Sequence, residues 1–371
     1  MRRKKKNVGD IRIKPKKSRK KKIVISSIII ILLIAVGVSV WWFTQDQPQG
    51  DKKEPVEEPK KPLTIVDENS NQRPIAVMID NNVGTTSHAG LQDAYITYEA
   101  IVEGGLTRIM AVFKDRTTSL IGPVRSSRHY FLDYALENDA LYAHYGWSTY
   151  AQNDISALHV NNINGLYVSG PYWRDSSIAA PHNVFTSIEK LYASAVDLGY
   201  ETTSSQWQNL NYTTDTVDLT TFEDSTITCE ENEEACNKNP NLITANKVTI
   251  PYSYSQERSY QYDSTTDTYL RFMNGRAHTD KTTGQQYNYK NVIIMKVNNF
   301  SLDNEGRQDL DTTGSGDGYY LTGGYALPIT WHKASRTSKT TYTYSDGSEV
   351  KIKDGNTFIQ IEPINQIPSF E

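Results

Sequence analysis

The sequence lacks the short motifs that mark the common enzyme classes. It has no GxSxG elbow, no HExxH pair, no P-loop and no GxGxxG after a strand-like run. Serine hydrolase, zinc peptidase and nucleotide-binding interpretations therefore have no motif support. Cysteine is also scarce, with two residues in 371. Structural zinc takes four ligands, so two thiols alone do not predict a zinc site, and we expect neither a metal nor a cofactor.

Long apolar runs are absent except for one. Residues 23–43, IVISSIIIILLIAVGVSVWWF, are 21 residues without a charge, close to the ~20 that a helix needs to cross a bilayer. Trp41 and Trp42 suit the aromatic belt at a membrane surface. We therefore predict a single N-terminal transmembrane helix. The alternative is a cleavable signal peptide, but the run is long for one and no small-x-small cleavage site follows it.

Acidic residues are almost missing from the N-terminus. The first 22 residues contain 13 Lys or Arg and one acid, Asp10, whereas the rest of the chain carries a net charge of about −16. Because basic flanks stay in the cytoplasm, we expect residues 1–22 to be a cytoplasmic tail and everything after residue 43 to be extracytoplasmic. The tail suits anionic lipids, and an acidic remainder without a basic face is a poor nucleic-acid binder. We predict a cell-membrane location, attachment through residues 23–43 and no nucleic-acid partner.

The two cysteines, Cys229 and Cys236, bracket the acidic segment EENEEA. An extracytoplasmic location is oxidising, and this favours a disulfide that closes a small loop. Two free thiols are the alternative. No histidine is placed beside either cysteine in the sequence, so the pair does not indicate a Cys–His nucleophile.

Composition divides the rest of the chain into four parts. Residues 44–72 are rich in proline and charge, which is typical of an extended spacer. Strand-like and helix-like runs alternate over residues 73–199, and this predicts an α/β or α+β N-terminal ectodomain with a mixed sheet. Residues 200–246 are interpreted as a connector or insertion. Many short strand-like runs with Asn-Gly and Asp-Gly turns then predict a β-rich C-terminal domain over residues 247–363.

A β-hairpin is predicted where AYITYEAIVEGGLTRIMAVF is broken by Gly104 and Gly105. A two-residue loop at these glycines would put Glu99, Glu103 and Arg108 on one face, since side chains alternate along strands. Two carboxylates and a guanidinium in reach of one another could serve acid–base chemistry or ligand recognition. The alternative is a structural ion network.

The segment IGPVRSSRHYF crowds three basic side chains. If a helix begins near Ser126, then Arg125, Arg128 and His129 lie on one side of its first turn. Cations there oppose the helix dipole unless a negative group faces them. That group is either an anionic ligand or the acids of the predicted hairpin.

Histidines at two loop positions are further candidates. His144 ends the strand-like run LYAH, and His182 lies beside Asn183 in APHN. Ligand groups often lie at the ends of strands in open α/β sheets, and histidine serves as an acid, a base or a ligand contact. A structural role for each is the alternative. His278 and Asp280 of the second half are weaker candidates, and the sequence leaves open whether they join the site.

Several segments together resemble one known family. The segments are RPIAVMIDN, YEAIVEGGLTRIMAVF, IGPVRSSRHYF, AHYGWS and APHN in the first half, and YLRFMNGRAHTD, NVIIMKV and GNTFIQIEP in the second. They are similar to the YerB-like extracytoplasmic lipoproteins of Gram-positive bacteria, a domain of unknown function with a C-terminal partner domain. The resemblance covers about residues 73–199 and 245–363, implies a membrane-tethered envelope protein and supplies no catalytic residues. One departure is that no cysteine lies near the apolar run, so a transmembrane helix would replace the lipid anchor.

Three functional hypotheses follow from these residues. The first is an extracytoplasmic envelope protein that binds an anionic ligand, a wall polymer or a phosphate or carboxylate group, through Arg108, Arg125 and Arg128. Glu99 and Glu103 would order these arginines, and His144, His182 and Asn183 would complete the pocket. A cell-wall polymer or an envelope protein is the expected partner. The second is a hydrolase or transferase acting on peptidoglycan or another wall polymer, with Glu103 or His144 as the acid–base group. The third is a scaffold that docks proteins through its β-rich half.

Overall fold

The computed structural model describes residues 34–41, 61–82, 84–207, 210–228 and 239–371. The chain divides into two units, Met1–Pro59 and Lys60–Glu371. In the first unit, residues 34–41 are helical. No helix in the described ranges is both long and apolar enough to cross a membrane. Most of the segment 23–43 lies outside those ranges, as do Cys229 and Cys236, so the transmembrane helix and the disulfide stay predictions.

The second unit begins with eight strands and three helices. The strands are β1 (Ile75–Asp80), β2 (Ile96–Ile101), β3 (Thr107–Phe113), β4 (Leu141–His144), β5 (Asn162–Asn164), β6 (Trp173–Arg174), β7 (Val184–Phe185) and β8 (Tyr212–Thr213). The helices are α1 (Phe131–Glu137), α2 (Thr149–Ala157) and α3 (Ile188–Asp197).

The remainder of the unit is built from strands. They are β9 (Ile243–Thr244), β10 (Lys247–Ser253), β11 (Gln256–Asp263), β12 (Thr268–Met273), β13 (Arg276–Ala277), β14 (Asn288–Tyr289), β15 (Asn291–Val297), β16 (Asn299–Ser301), β17 (Gln308–Leu310), β18 (Gly314–Thr322), β19 (Tyr325–Lys333), β20 (Thr341–Thr343), β21 (Ile352–Lys353), β22 (Thr357–Pro363) and β23 (Ser369–Phe370). This confirms a β-rich C-terminal part.

One large mixed sheet forms the centre of the unit. Its order is β20-β19-β18-β15-β22-β2-β3-β1-β4-β5, and β9 pairs with β19. β1 is antiparallel to β3 and parallel to β4, so the mixed sheet expected in the first half is confirmed. β2 pairs with β22 in parallel, from Ile96 opposite Thr357 to Ala100 opposite Ile361. The two halves of the chain therefore share this sheet.

A second sheet is formed by the C-terminal half alone. Its order is β13-β12-β11-β10-β23, with β14 paired to β12. Asn274 and Gly275 both have positive φ, 47° and 73°, between β12 and β13, as the predicted two-residue Asn-Gly turn requires. Tyr252 of β10 donates to the carbonyl of Glu99 at 3.0 Å. This contact places the second sheet against β2 of the first.

The register of the β2–β3 hairpin differs from the prediction by one residue. The loop contains three residues, Glu103–Gly105, because the Val102 amide donates to the Leu106 carbonyl at 2.7 Å. Arg108 therefore pairs with Ala100 rather than with Ile101. A one-residue shift moves every side chain of one strand to the other face, so the prediction that Glu99 and Arg108 share a face was wrong.

The helix predicted from Ser126 also begins later, since α1 starts at Phe131. The residues before it are extended. The Arg125 amide donates to the Met78 carbonyl at 2.9 Å, and the Arg125 carbonyl accepts from the Tyr145 amide at 2.9 Å. These hydrogen bonds to the ends of β1 and β4 replace the bonds of a first helical turn. Contacts with the sheet therefore outweigh the helical propensity of this segment. The helix-dipole argument for Arg125, Arg128 and His129 was therefore wrong.

Candidate functional site

The candidate site lies at one edge of the large sheet, where β1 and β4 end and β3 begins. Asp80 is the last residue of β1 and lies directly opposite Arg108 in the antiparallel pair. Side chains of opposed residues share a face. The extended segment around Arg125 crosses this same edge, which is where open α/β sheets place ligand groups.

Asp80 is the most buried acid at this edge, with 2% of its surface exposed. His182 donates from Nδ1 to its Oδ2, and the Nε of Arg125 lies 3.6 Å from the same oxygen. Burial pushes the pKa of Asp80 upward, but Arg125, the His182 hydrogen bond and Arg108 outweigh it and leave this pKa lowered. Asp80 is therefore an anion that orients a histidine and an arginine.

Glu103 and Arg128 form a two-pronged pair next to this group. The Nε and Nη2 of Arg128 donate to the two carboxylate oxygens of Glu103 at 2.6 and 2.7 Å. Burial raises the pKa of Glu103, but the hydrogen bonds and charge of Arg128 leave it lowered. Two parallel N–H···O bonds are strong and directional. Glu103 therefore stays ionised and engaged, which does not fit the acid–base role considered for it.

Arg108 connects the two pairs. It is 5% exposed, its Nη1 donates to the Ser126 carbonyl at 2.8 Å, and its Nε is buried without a hydrogen-bond partner in the described part of the chain. Burial, then the charges of Arg128 and Arg125, lower the pKa of Arg108 to about 10, while Asp80 and Glu103 act in the opposite direction. Three guanidinium groups thus face two carboxylates. We call Arg108, Arg125 and Arg128 the cationic cluster.

Glu99 is not part of this cluster. It is fully buried on the other face of β2, where Arg258 and Arg271 each donate to it at 2.7 Å. Burial raises the pKa of Glu99, but the two arginines outweigh burial and lower it to about 2. The ligand-binding role expected for Glu99 is therefore replaced by an internal ion network between the two sheets.

His144 does not join the cluster either. It is fully buried, its Nδ1 lies 2.7 Å from the Gly146 carbonyl, and burial lowers its pKa to about 4. A neutral histidine without access to solvent does not fit the acid–base role considered for it. Asn183 accepts from Nη1 of Arg174 at 2.7 Å, so it holds the loop that carries His182.

The remaining basic and second-half candidates lie apart from Asp80. The Nε2 of His129 lies 2.8 Å from Asp309 of β17. His278 accepts from Arg271 and contacts the ring of His88 edge-on, with centroids 4.5 Å apart. Asp280 accepts from the Gly90 amide and the Tyr287 hydroxyl, both at 2.8 Å. No group of three or more His, Cys, Asp or Glu in the described ranges is arranged to hold a metal ion.

Sequence reasoning missed Asp80 as a site residue. It occurred only within the segment RPIAVMIDN. The signal was its position, because Asp80 and Asn81 are polar residues at the end of a buried apolar strand, and such positions supply ligand contacts in α/β sheets. The pairing of Asp80 with His182, 102 residues away, could not be inferred from local patterns.

The chemistry available at this edge is anion recognition. Each guanidinium has five N–H donors, and hydrogen bonds from cations to anions are the strong ones. In the described residues, the Arg125 side chain makes one hydrogen bond, from Nη1 to the Pro181 carbonyl at 3.2 Å, and 23% of this side chain is exposed. Donors on Arg125 thus remain available to a ligand, and the charge of the buried Arg108 adds to the attraction for an anion.

Comparison with known proteins agrees with this organisation. Residues 62–201 match the family described as "Protein of unknown function (DUF3048) N-terminal domain", and residues 248–359 match the corresponding C-terminal domain. The chain is 27% identical over 295 residues to "Putative lipoprotein YerB" from Bacillus subtilis (strain 168), which covers 79% of this chain and 82% of that protein.

The fold is also similar to a solved one. The crystal structure of YerB protein from Bacillus subtilis superposes with a TM-score of 0.68 and 25% sequence identity, over 84% of this chain and 100% of that chain. Both halves of the sequence match domains of one family, in the same order, and the fold agrees. The chain belongs to the YerB-like family.

Proposed function

We propose that the protein binds an anionic group of a cell-envelope ligand at the cationic cluster. The observation that carries this proposal is an excess of guanidinium groups at an accessible edge of the sheet. Arg125 is 23% exposed, it lies beside Arg108 and Arg128, and neither its Nε nor that of the buried Arg108 has a hydrogen-bond partner in the described chain. A buried donor that is left unpaired costs about 1–3 kcal/mol. A phosphate or carboxylate would supply the missing acceptor and offset the excess positive charge.

The proposal includes an extracytoplasmic location with a membrane anchor. Its support is the relative named as a lipoprotein and the 21 uncharged residues 23–43 behind a basic tail. Protease added to intact cells should digest residues after 43 and spare the N-terminal tail, and alkaline extraction should leave the chain with the membrane. Release of the chain into the alkaline supernatant would contradict the anchor.

Titration with inorganic phosphate tests the binding site. Calorimetry on the full-length protein should show binding that weakens about tenfold in Arg108→Gln and in Arg125→Gln, since one charge-assisted hydrogen bond contributes about 1.5–3 kcal/mol. Arg125→Gln is the safer variant, because 23% of the Arg125 side chain is exposed, whereas Arg108 is 5% exposed.

Arg276→Gln is the matched control. Arg276 is an exposed arginine of β13 on the sheet that does not contribute to the cluster, so its loss changes net charge equally and should leave phosphate affinity unchanged. Equal weakening in Arg276→Gln and Arg125→Gln would show that only net charge matters, and the proposed site would be wrong.

Asp80 and His182 favour a second candidate, a hydrolase of phosphate or carboxylate esters. Because Asp80 accepts from Nδ1, the Nε2 of His182 is left as a base, and 31% of this side chain is exposed. Nε2 would take a proton from a water molecule as its oxygen attacks the ester, and then give the proton to the leaving oxygen.

Turnover of bis(4-nitrophenyl) phosphate separates binding from hydrolysis. His182→Gln should abolish turnover while leaving phosphate binding within about twofold, because Arg108 and Arg125 remain. His332→Gln, which changes an exposed histidine of β19, is the control. No turnover by the unchanged protein leaves binding as the function.

A further inference from the structure

A polar cleft lies between the two halves of the chain, outside the cationic cluster. Its volume is about 520 Å³, within the range of small-molecule sites. Three segments line it, namely residues 90–93 and 116–120 of the first half and residues 280–287 of the second. Both halves therefore contribute to one concave surface.

Hydroxyl and amide side chains dominate the lining. They are Gln92, Thr117, Thr118, Ser119, Thr282, Thr283, Gln285, Gln286 and Tyr287. Hydroxyl and amide groups both donate and accept hydrogen bonds, so they suit a ligand that carries many hydroxyls. The two acids of the cleft are already engaged. Asp93 accepts from Thr118 at 2.7 Å, and Asp280 accepts from the amides of Gly90, Thr282 and Thr283.

One positive side chain stands among these neutral groups. Arg116 donates from Nη2 to the Ile65 carbonyl at 3.1 Å, while its Nε is buried and has no hydrogen-bond partner among the residues that the structure describes. No carboxylate in the described residues pairs with it. A guanidinium among hydroxyls and amides matches a sugar that carries or adjoins an anionic group.

Two short series of contacts connect the cleft to the residues around the cationic cluster. Gly90 lines the cleft, and two residues earlier His88 donates from Nε2 to the Asp80 carbonyl at 2.6 Å. The Lys281 amide, next to Asp280 of the cleft, donates to the His88 carbonyl at 2.7 Å. The Nζ of Lys281 pairs with Asp175 at 2.5 Å, in the loop that leads to His182, and these two side chains are 34% and 25% exposed. The Lys281–Asp175 pair therefore forms a surface route along which a single chain-like ligand can contact both places.

From this juxtaposition we propose that the ligand is an acidic glycan. Its sugars occupy the polar cleft, and an anionic group further along the same ligand occupies the cationic cluster. The inference rests on the proposed function and deepens it, because it names the class of ligand. The anionic group is either a uronic-acid carboxylate or a phosphodiester, since both present the same acceptor oxygens to arginine.

Four probes test the inference by calorimetry on the full-length protein. They are a hexuronate-containing hexasaccharide, a phosphate-linked glucose oligomer, a neutral glucan hexasaccharide and inorganic phosphate. We expect at least one acidic oligosaccharide to bind ten times more tightly than phosphate or more, because two linked contacts act at a high effective concentration. The acidic probe that binds more tightly identifies carboxylate or phosphodiester as the source.

Ser119→Trp is designed to fill the cleft without touching the core, because Ser119 is exposed. It should remove the tenfold gain of the acidic oligosaccharide and leave inorganic phosphate binding unchanged. Ser264→Trp, at an exposed serine between β11 and β12, is the control and should keep the gain. Arg116→Gln should weaken the acidic oligosaccharides and leave the neutral glucan unaffected.

The outcomes separate this inference from the proposed function. Phosphate binding that depends on Arg125, without any gain for the acidic oligosaccharides, would overturn the glycan inference and leave anion binding intact. The glycan inference also fails if the neutral glucan binds as tightly as the acidic probes, or if Ser119→Trp has no effect. Absence of phosphate binding that depends on Arg125 would overturn both.

Discussion

Two groups of charges lie on opposite faces of the β2–β3 hairpin, and both have more guanidinium groups than carboxylates. On one face Glu99 receives Arg258 and Arg271, all three fully buried. On the other face the cationic cluster meets Asp80 and Glu103. A count of charges does not distinguish the two groups, although the first connects two sheets and the second lies at an open edge.

The difference between the two groups is in their exposure to solvent. Each group contains a buried Nε without a hydrogen-bond partner in the described residues, at Arg271 in the Glu99 network and at Arg108 and Arg125 in the cationic cluster. The side chains of Arg258 and Arg271 are 0% exposed, whereas 23% of the Arg125 side chain is exposed. Excess positive charge therefore indicates a binding site only where solvent can reach the cations.

The largest expected effect is a loss of stability when the Glu99 network is broken. Glu99→Gln removes the carboxylate and leaves Arg258 and Arg271 buried without a counter-charge, so the free energy of unfolding should fall by about 3–5 kcal/mol. Chemical denaturation of the full-length protein measures this loss. A loss below about 1 kcal/mol, the range of exposed pairs, would contradict the structural role of the network.

The pH dependence of stability sharpens the same contrast. The folded pKa of Glu99 is about 2, below its ordinary 4.5, so its ionised form stabilises the fold above pH 4.5. This contribution, roughly 3 kcal/mol, is lost as pH falls from 4.5 towards 2. The difference in unfolding free energy between the unchanged protein and Glu99→Gln should therefore shrink on going from pH 7 to pH 3. A difference that stays constant would contradict the assignment.

Salt concentration should affect phosphate binding at the cationic cluster but not the stability of the Glu99 network, and this effect is smaller than that of Glu99→Gln. Dissolved salt screens the interactions of exposed charges, with a screening length of about 10 Å at 0.1 M and about 3 Å at 1 M. The Glu99 network is closed to solvent, so salt screens it much less. Raising sodium chloride from 0.05 to 0.5 M should weaken phosphate binding at the cationic cluster several-fold. The loss of stability in Glu99→Gln should be the same at both salt concentrations. If phosphate affinity and the stability loss of Glu99→Gln depended equally on salt, the distinction between an accessible cluster and a closed network would be wrong.

The smallest expected effect on stability is at Glu103, whose side chain is 23% exposed. Glu103→Gln should change the free energy of unfolding by about 1 kcal/mol or less. It also frees Arg128 from its internal partner, so inorganic phosphate should bind more tightly, by a few-fold. Calorimetry of this variant beside Arg276→Gln measures the gain. Weaker binding in Glu103→Gln would mean that Glu103 positions Arg128 rather than competing for it.

The sequence predicted the class of the fold well, because periodic patterns are local. Alternating apolar residues and the Asn274-Gly275 turn predicted strands and a hairpin that the structure contains. The order of strands was not predictable. β2 lies between β3 and β22, and its Ile96 pairs with Thr357 far along the chain. No pattern within either segment specifies such a partner.

The candidate site was predicted only in part, and one residue of register accounts for much of the error. Arg108, Arg125, Arg128 and Glu103 do lie near one another, because Arg108 donates to the carbonyl of Ser126, the residue after Arg125, and Arg128 pairs with Glu103. Glu99 was placed with them because the hairpin loop was taken as two residues instead of three. His144 was included because burial cannot be seen from sequence, and its ring is fully enclosed.

The pairing of β2 with β22 has a consequence for how the protein is made. β2 leaves the ribosome long before β22, since β2 ends at Ile101 and β22 begins at Thr357, so β2 presents an open hydrogen-bonding edge until then. Open edges template intermolecular association, and pairings between distant segments form slowly. Truncation after residue 246 would leave that edge permanently uncovered, so the N-terminal half expressed by itself should collect in inclusion bodies, whereas adding the missing strand as a separate peptide should keep it in solution.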